Sequence, residues 1–280
     1  MPSLERHHVG GVTLLTDEHV GGGVTFAFTE RSGGVSEGPY ASLNLGTRCG
    51  DDPAAVAENR RRALAAVGAG ELSARLVCPH QVHGDHVVTV RSAEASALAA
   101  ARVEAEAGCD AVVCVAPGVP VLMCFADCVP VVLACEGGFA VVHSGWRGTI
   151  ARIAGKAARE LARAAGADAS ELRAYVGPHI RARDYEVSEE LAGRFTDEFG
   201  PSVVSGRQLD LSRAVLAALA EAGVPERSVA VSETSTASSG GRFFSYRAQR
   251  GTCGRHGALA FLGERTREVS ADDEGEATLR

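Results

Sequence analysis

Lysine is almost missing from this sequence of 280 residues. Lys156 is the only one, so nearly all of the 28 basic residues are arginines. A lysine Schiff base or a phosphate-binding P-loop would have to use Lys156, and its neighbours do not form the Gly-Lys-Ser/Thr sequence of a P-loop. The composition therefore excludes most lysine-based chemistry.

Long apolar runs are missing as well. The longest uncharged run, residues 111–126, has 16 residues and is interrupted by two prolines and a glycine. It is too short to cross a bilayer. Residues 1–11 contain charged side chains and lack the apolar segment of a secretory signal. We therefore expect a soluble cytoplasmic protein without membrane partners.

The sequence has no excess of basic charge. Its 28 basic and 35 acidic residues give a net charge of −7, and the end of the chain is strongly acidic. Proteins that bind nucleic acids present a basic stripe that releases counterions, so nucleic acid is excluded as a primary partner. We expect one catalytic domain over residues 1–263 and a disordered acidic tail over residues 264–280.

The cysteines and histidines are too few or too scattered for several kinds of site. Eight cysteines include no Cys-x-x-Cys pair, which argues against a four-ligand structural zinc site. Nine histidines include no His-x-His pair, which makes a set of several coppers improbable, although one copper ion is compatible with the ligand types. In a reducing compartment, the thiols are expected to be buried or to bind metal.

The sequence does contain many short apolar runs that predict strands. The runs at 111–115, 121–125, 129–134 and 139–142 lack alternation, which indicates strands covered on both faces. Residues 12–15 and 24–28 predict a hairpin around three glycines. Further strands are predicted at 173–176, 228–231 and 258–262, and helices after Asp52 and at 149–165, 188–199 and 211–222. The order is mixed α/β without a regular βαβ alternation.

Three segments combine reactive side chains with a turn or the end of a strand. They are residues 78–86 with three histidines, residues 126–130 with Asp127 and Cys128, and residues 141–149 with His143. A buried histidine or cysteine taken singly is more often part of a core. Two imidazoles and a thiolate together suit zinc, and three protein ligands leave a fourth position for water or substrate. Asp127 stands between two apolar strands, where an unpaired carboxylate is costly, so it needs a hydrogen-bonding partner or a function.

Nine motifs in this sequence resemble, in their order, those of the YfiH-type purine nucleoside phosphorylase family, also called the laccase-domain or polyphenol oxidase family. The motifs are Arg31-Ser-Gly-Gly-Val-Ser36, Ser42-Leu-Asn-Leu-Gly46, Gly50-Asp-Asp-Pro53, Gln81-Val-His-Gly84, Ala126-Asp-Cys-Val-Pro130, His143-Ser-Gly-Trp-Arg-Gly148, Gly177-Pro-His-Ile180, Tyr185-Glu-Val187 and Phe244-Ser-Tyr-Arg247. The resemblance runs from about Thr25 to Leu262, which is nearly the whole chain.

The resemblance implies an α+β fold in the form of a single-domain α/β/β/α sandwich. It also implies a catalytic zinc ion held by His83, Cys128 and His143, the same three residues that ligand chemistry selects. The implied substrates are purine nucleosides and phosphate. Adenosine, inosine, guanosine and methylthioadenosine would give the base and ribose 1-phosphate, and adenosine would also be deaminated. The oligomeric state stays undetermined.

Arginines are the candidate anion-binding residues. Arg147 lies where a turn opens a helix and is expected to bind phosphate, whereas Arg31 and Arg48 are weaker candidates that a solvated loop explains equally well. Asn44 is a candidate for binding the base or ribose, or else completes its own turn. Proton transfer is expected from Asp127 or His80, which the sequence does not rank.

Three positions depart from the family pattern. Ser144 replaces an alanine, residues 232–234 lack the usual Cys-Thr pair, and Ala248 replaces a common arginine. The last two positions are the ones expected to alter substrate range or the packing of the late loop. Two other enzymes stay open, a copper-dependent polyphenol oxidase and a metal-free cysteine hydrolase with Cys128 as the nucleophile. A binding protein without turnover is a third alternative.

Overall fold

A computed structural model describes residues 1–263; the acidic segment 264–280, for which we predict disorder, lies outside the described residues. The strands are β1 Glu5–Val9, β2 Val12–Thr16, β3 Val24–Thr29, β4 Val87–Val90, β5 Ala111–Cys114, β6 Val121–Phe125, β7 Val129–Cys135, β8 Gly138–Ser144, β9 Arg173–Val176, β10 Val204–Ser205, β11 Gln208–Leu209, β12 Val229–Val231 and β13 His256–Leu262. The helices are α1 Pro53–Ala66, α2 Ala95–Gly108, α3 Trp146–Ile150, α4 Ile153–Ala165, α5 Glu189–Phe199 and α6 Leu211–Glu221.

Two large sheets form the centre of the molecule. Sheet 1 has the order β1-β2-β3-β13-β6 and is antiparallel throughout. Sheet 2 has the order β12-β9-β7-β8-β5-β4 and is antiparallel except for the parallel pairs at its two edges. Strands β7 and β8 are buried along their whole length, as their unbroken apolar sequences predict.

Three apolar cores separate four layers. One lies between the two sheets and contains Phe26, Phe28 and Tyr175. A second lies between sheet 2 and helices α4, α5 and α6, and a third packs α1 on the other face of sheet 1. The α/β/β/α sandwich that the resemblance implies is therefore confirmed.

Local sequence predicts several elements correctly. Strands β2 and β3 pair antiparallel, with Leu15 opposite Phe28, and Asp52 caps α1 by accepting a hydrogen bond from the Ala54 amide. In the hairpin loop, Gly22 has a φ of +63° and a Cβ there would lie 2.4 Å from the Cys135 carbonyl oxygen. Both the conformation and the close approach require glycine.

The helix predicted over residues 149–165 is wrong in its start and its continuity. A short helix, α3, begins at Trp146, and Arg152 has a left-handed backbone (φ 57°) before α4 begins at Ile153. Both helices contact β8 and α6 and pack against the same apolar core. Helix α3 also packs closely on the loop that carries Gly84, because a Cβ on Gly148 would lie 2.8 Å from the Gly84 carbonyl oxygen.

Strands β1 and β4 and helix α2 were not predicted. Strand β1 is mostly exposed, and α2 buries only Leu98, Ala101 and Ala105 along an alanine-rich sequence, so its apolar face is weakly marked. Within residues 1–263, no helix combines the length and the apolar composition that crossing a membrane requires.

Candidate metal centre and its cavities

Strand pairing brings distant parts of the chain to one edge of sheet 2. Strand β8 runs antiparallel to both β7 and β5, with Ser144 opposite Val129 and Val142 opposite Ala111. The end of β8 therefore lies beside the starts of β7 and β5. Strand β4 is parallel to β5, so the loop before β4 reaches the same edge. This arrangement places His143, Cys128 and His83 together, although 60 positions separate the first ligand from the last.

His83, Cys128 and His143 form a compact donor group. Their ligand atoms all lie within 4.8 Å of one another, and it is the only such group of three found among residues 1–263. His143 is buried, Cys128 half-buried and His83 exposed. Gly145 packs against the group, since a Cβ there would lie 3.0 Å from His83 Cδ2 and 3.2 Å from Cys128 Sγ. A side chain at position 145 would therefore be in tight contact with two of the three donors.

Asp110 connects two of the three donors. Its Oδ1 lies 2.7 Å from His143 Nδ1 and accepts a hydrogen bond from the His83 amide at 3.0 Å. Its Oδ2 accepts from the amides of Val82 and Gly84 at 3.1 and 2.7 Å. Burial would by itself raise the pKa of this carboxyl group, but the hydrogen bonds from His143 and the amides lower it. Asp110 thus holds Nε2 of His143 toward the donor group and stabilises the turn that carries His83.

The backbone is strained at two positions of the centre. His83 has a φ of 60° and Asp127 a φ of 92°, conformations that residues other than glycine rarely adopt. The Asp127 carboxylate is fully engaged, accepting hydrogen bonds from Thr236 Oγ1 at 2.6 Å and from the Arg247 amide at 2.7 Å. The hydrogen-bonding partner that we expected for the Asp127 carboxylate is therefore the loop after β12.

The Cys128 thiol is acidic in the metal-free chain. Burial would by itself raise its pKa, but the adjacent His143 and His83 outweigh that effect and lower the pKa to about 6. Burial likewise disfavours protonated His143, but the Cys128 thiolate and Asp110 raise the pKa of His143 to about 9. Near neutral pH the metal-free pair is therefore a thiolate beside an imidazolium.

We expect the metal-free protein to be alkylated at Cys128 with a pH midpoint near 6. The thiolate is the nucleophile, so iodoacetamide should react rapidly at pH 7.5 and progressively more slowly as the pH falls through about 6. Peptide mass spectrometry after timed labelling measures this rate. Cys109 is the internal control, because burial raises its pKa to about 12 and it should stay unlabelled throughout. A Cys128 midpoint at pH 8 or above would contradict the prediction.

Two cavities meet at the donor group. The larger has a volume of about 740 Å³, within the range of small-molecule sites, and the smaller about 230 Å³. Both are lined by His83, Asp127, Cys128, Trp146, Ile180 and Tyr185. Four arginines also line the larger cavity, namely Arg48, Arg60, Arg247 and Arg255. The walls therefore favour an anionic ligand.

Some of the predicted substrate-binding residues line a cavity in the structure, and others do not. Arg147 lines the smaller cavity, and Arg48 and His80 line the larger one. Arg31 lines neither cavity; its guanidinium donates to the Ala41 carbonyl and lies over the Phe244 ring. Asn44 is fully buried, and its amide is bonded to Gly46, Asp51 and the Arg255 amide, which favours the alternative that it completes its own loop.

The sequence analysis missed several residues of the site. Asp110 could have been found, because it directly precedes an apolar strand and the reasoning applied to Asp127, a carboxylate beside buried strands, applies to it as well. Arg60 stands in a run of three arginines on α1, and nothing local distinguishes the one that faces the cavity. His86, the third histidine of segment 78–86, lies outside the donor group and pairs with Glu104 at 3.1 Å.

The fold and the site together define an α/β/β/α protein with a His-Cys-His donor group at one sheet edge. The family described as multi-copper polyphenol oxidoreductase laccase matches residues 25–263. The chain belongs to this family, and its resemblance to YfiH-type proteins is confirmed.

Several similar proteins are named as purine nucleoside phosphorylases. A purine nucleoside phosphorylase of Deinococcus radiodurans is 40% identical over 249 residues, covering 86% of this chain and 90% of that protein. The crystal structure of YlmD from Geobacillus stearothermophilus superposes with a TM-score of 0.81 at 33% identity, covering 94% of this chain and all of that one. YfiH of Bacillus licheniformis gives a TM-score of 0.79 at 27% identity, with 89% and 96% covered.

Proposed function

We propose that this protein is a zinc-dependent purine nucleoside phosphorylase that also deaminates adenosine. Adenosine, inosine, guanosine and methylthioadenosine would react with phosphate to give the base and ribose 1-phosphate. The observation that carries the proposal is the donor group lying between two cavities whose walls contain five arginines. Relatives named purine nucleoside phosphorylase, at up to 40% identity over most of their length, support it.

The donor residues fit zinc. One thiolate and two imidazoles are ligands that zinc prefers, and three protein ligands are typical of a catalytic site. The hydrogen bond from His143 Nδ1 to Asp110 leaves Nε2 free to bind the ion, as in carboxylate-histidine-zinc arrangements. When bound, a zinc ion at this centre would supply Lewis acidity beside the substrate.

Arg147 is the residue best placed to bind phosphate. It is exposed in the smaller cavity, its guanidinium lies 4.5 Å from the centre of the Trp146 ring, and this guanidinium makes no hydrogen bond or ion pair with any residue in 1–263. The arginines of the larger cavity are already committed, Arg60 to the Leu45 carbonyl and Arg255 to the carbonyls of Cys253 and Gly254. A free guanidinium held flat by an aromatic ring is preorganised for bidentate phosphate binding.

His80 is the better candidate for moving a proton to the leaving base. Its imidazole lines the larger cavity and has no hydrogen bond to any described residue, whereas both Asp127 oxygens already accept hydrogen bonds. A group that exchanges protons with substrate must be within reach of it and free to change its partner. In this arrangement, Asp127 holds the Arg247 loop in place while His80 meets the base.

We expect Arg147→Gln to weaken phosphate binding selectively. Loss of a charge-assisted hydrogen bond costs about 1.5–3 kcal/mol, which corresponds to roughly a 10- to 100-fold higher KM for phosphate. The KM for adenosine and the rate of phosphate-independent deamination should change little. Phosphorolysis rates at varied phosphate, followed by chromatography, measure the effect.

Arg194→Gln is the matched control. Arg194 also lies over Trp146, at 5.5 Å from the ring centre, but lines neither cavity. Its replacement should leave the KM for phosphate within twofold. Equal effects of the two substitutions would show that the Trp146 stack, and not phosphate contact, explains the loss.

The function itself is tested by incubating purified, metal-analysed protein with adenosine, with and without phosphate. Adenine formed only with phosphate, at one zinc per chain, is the expected result, and inosine formed without phosphate would add the deaminase. Absence of both products from zinc-loaded protein would reject the proposal. Residues near Ser232 and Ala248 would then be the first candidates for a changed substrate.

Two other functions rest on specific observations. The family description names a multi-copper laccase, but residues 1–263 contain a single three-residue donor group. Stoichiometric copper with oxygen uptake would support that function. An acidic thiol between two histidines is also the arrangement of a cysteine hydrolase. Hydrolysis that persists after chelation and stops on alkylation of Cys128 would support the latter.

A further inference from the structure

A second pair of thiols lies in the wall of the larger cavity. Cys78 lies two residues before His80, and Cys124 is on β6. Both side chains line the larger cavity and are half-buried. Cys124 Sγ donates a hydrogen bond to the Leu45 carbonyl at 3.4 Å, and the same carbonyl accepts from the guanidinium of Arg60, which also donates to Cys78 Sγ. Gln81 holds the Cys124 backbone in place, donating to its carbonyl and accepting from its amide, both at 2.8 Å.

Arg60 makes the surroundings of the two thiols different. Its Nη2 lies 3.3 Å from Cys78 Sγ, while its Nε donates to the Leu45 carbonyl at 2.9 Å, so the guanidinium is fixed beside Cys78. The neighbouring Cys124 thiol and the charge of Arg60 lower the pKa of the Cys78 thiol to about 7 against the opposing effect of burial. The contact with Cys78 and burial raise the pKa of Cys124. Cys78 is therefore the more acidic thiol and the nucleophile, and Cys124 is the thiol that stays protonated.

We propose that Cys78 and Cys124 form a peroxide-sensitive dithiol that closes to a reversible disulfide inside the substrate cavity. The Cys78 thiolate attacks one oxygen of a hydroperoxide, the O–O bond breaks, and Cys78 becomes a sulfenic acid while the peroxide leaves as water or an alcohol. Cys124 then attacks the Cys78 sulfur, and the hydroxyl group leaves as water with the Cys124 proton. Two thiols are oxidised and one hydroperoxide is reduced.

The other six described thiols lack one or more of these features. Cys49 lines the larger cavity, but its thiol donates to the Gly46 carbonyl at 3.2 Å, and Cys253 contacts Arg255 but lines neither cavity, and burial raises its pKa. Burial raises the pKa of Cys109 and Cys114 to about 12 and that of Cys135 to about 11, and none of the three lines either cavity. Cys128 lies in the same cavity but belongs to the metal donor group. A thiolate next to a cation, open to small molecules and in contact with a second thiol, is the arrangement found in redox-sensitive cysteine pairs.

The test is to treat the zinc-loaded protein with hydrogen peroxide, block remaining thiols with iodoacetamide and map the peptides without reduction. The tryptic peptide 76–91 carries Cys78 as its only cysteine, so a cross-link to it identifies one partner directly. We expect a Cys78–Cys124 linkage that dithiothreitol reverses. The Cys124→Ser protein should stop at a Cys78 sulfenic acid that dimedone labels, and the Cys78→Ser protein should show no dimedone label at Cys124.

Cys135→Ser is the matched control and should leave the cross-link unchanged. The proposal is overturned if Cys78 and Cys124 both remain fully alkylated after peroxide, if the linkage joins Cys128 instead, or if Cys124 is labelled equally well without Cys78. Because the readout is covalent and needs no turnover, its outcome is independent of whether the protein is a nucleoside phosphorylase.

Discussion

Replacing Cys128 by alanine is expected to abolish both zinc binding and turnover while the fold persists. The thiolate is the one sulfur ligand of the donor group, and two imidazoles alone, with His83 exposed, cannot complete a catalytic zinc site. The loss should exceed the ~10- to 100-fold that removal of an outer hydrogen-bond partner typically costs. Zinc content by elemental analysis and adenine formation by chromatography measure the two effects on the same sample.

Cys135→Ala is the matched control for that substitution. Cys128 directly precedes β7 and Cys135 ends it, so the two thiols lie at opposite ends of one strand. Removing a half-exposed ligand sulfur should leave the thermal unfolding midpoint close to that of the wild type, whereas Cys135→Ala should keep full zinc content and activity. A Cys128→Ala protein that retains zinc and turns over would refute the site.

Replacing Asp110 by asparagine is expected to weaken both the metal site and the fold. The carboxylate accepts four hydrogen bonds, from His143 Nδ1 and the amides of Val82, His83 and Gly84. An asparagine can present its oxygen to only one side, so its NH₂ group would face amide donors on the other. We expect roughly 10- to 100-fold lower zinc affinity, and a loss of about 1–3 kcal/mol in the free energy of unfolding, because buried donors lose their acceptor.

Asp17→Asn separates these two effects. Asp17 is also a buried carboxylate, and it accepts from Tyr175 Oη at 2.8 Å and from the amides of Ser3 and His19, away from both cavities. Its replacement should lower stability by a similar amount and leave zinc affinity unchanged. Competition with a chromogenic zinc chelator and urea denaturation measure the two quantities. If the two variants lose zinc affinity equally, the role assigned to Asp110 is wrong.

Local sequence predicts much of this protein's secondary structure. The apolar runs that become β5 to β8, the hairpin β2–β3, the Asp52 cap and helices α5 and α6 all follow from patterns of a few residues. The motifs also identify the family, which the match over residues 25–263 confirms. The assignment of zinc to His83, Cys128 and His143 stays a prediction, although the structure brings the three residues together.

Other features depend on contacts that no local pattern records. The break at Arg152, whose backbone is left-handed, separates two helices that pack on the same core, and no local pattern marks it. Arg31 and Arg147 both stand in glycine-containing motifs, yet only Arg147 reaches a cavity. The position of Arg147 at the start of a helix favoured it in the sequence, but only the structure shows that the Arg31 guanidinium is engaged by the Ala41 carbonyl.

The amino-acid sequence by itself determined the type of chemistry available, because thiol, imidazole and guanidinium groups are properties of single residues and their motifs are short. The family resemblance implied that His83, Cys128 and His143 meet, whereas the tertiary structure alone decided that Asp110 joins them and which arginines reach the cavities. Antiparallel pairing of β8 with β7 and β5 places His143 beside Cys128 and Asp110, and parallel pairing of β4 with β5 adds the His83 loop. Such long-range strand pairing depends on the packing of the whole sandwich, so short motifs do not specify it.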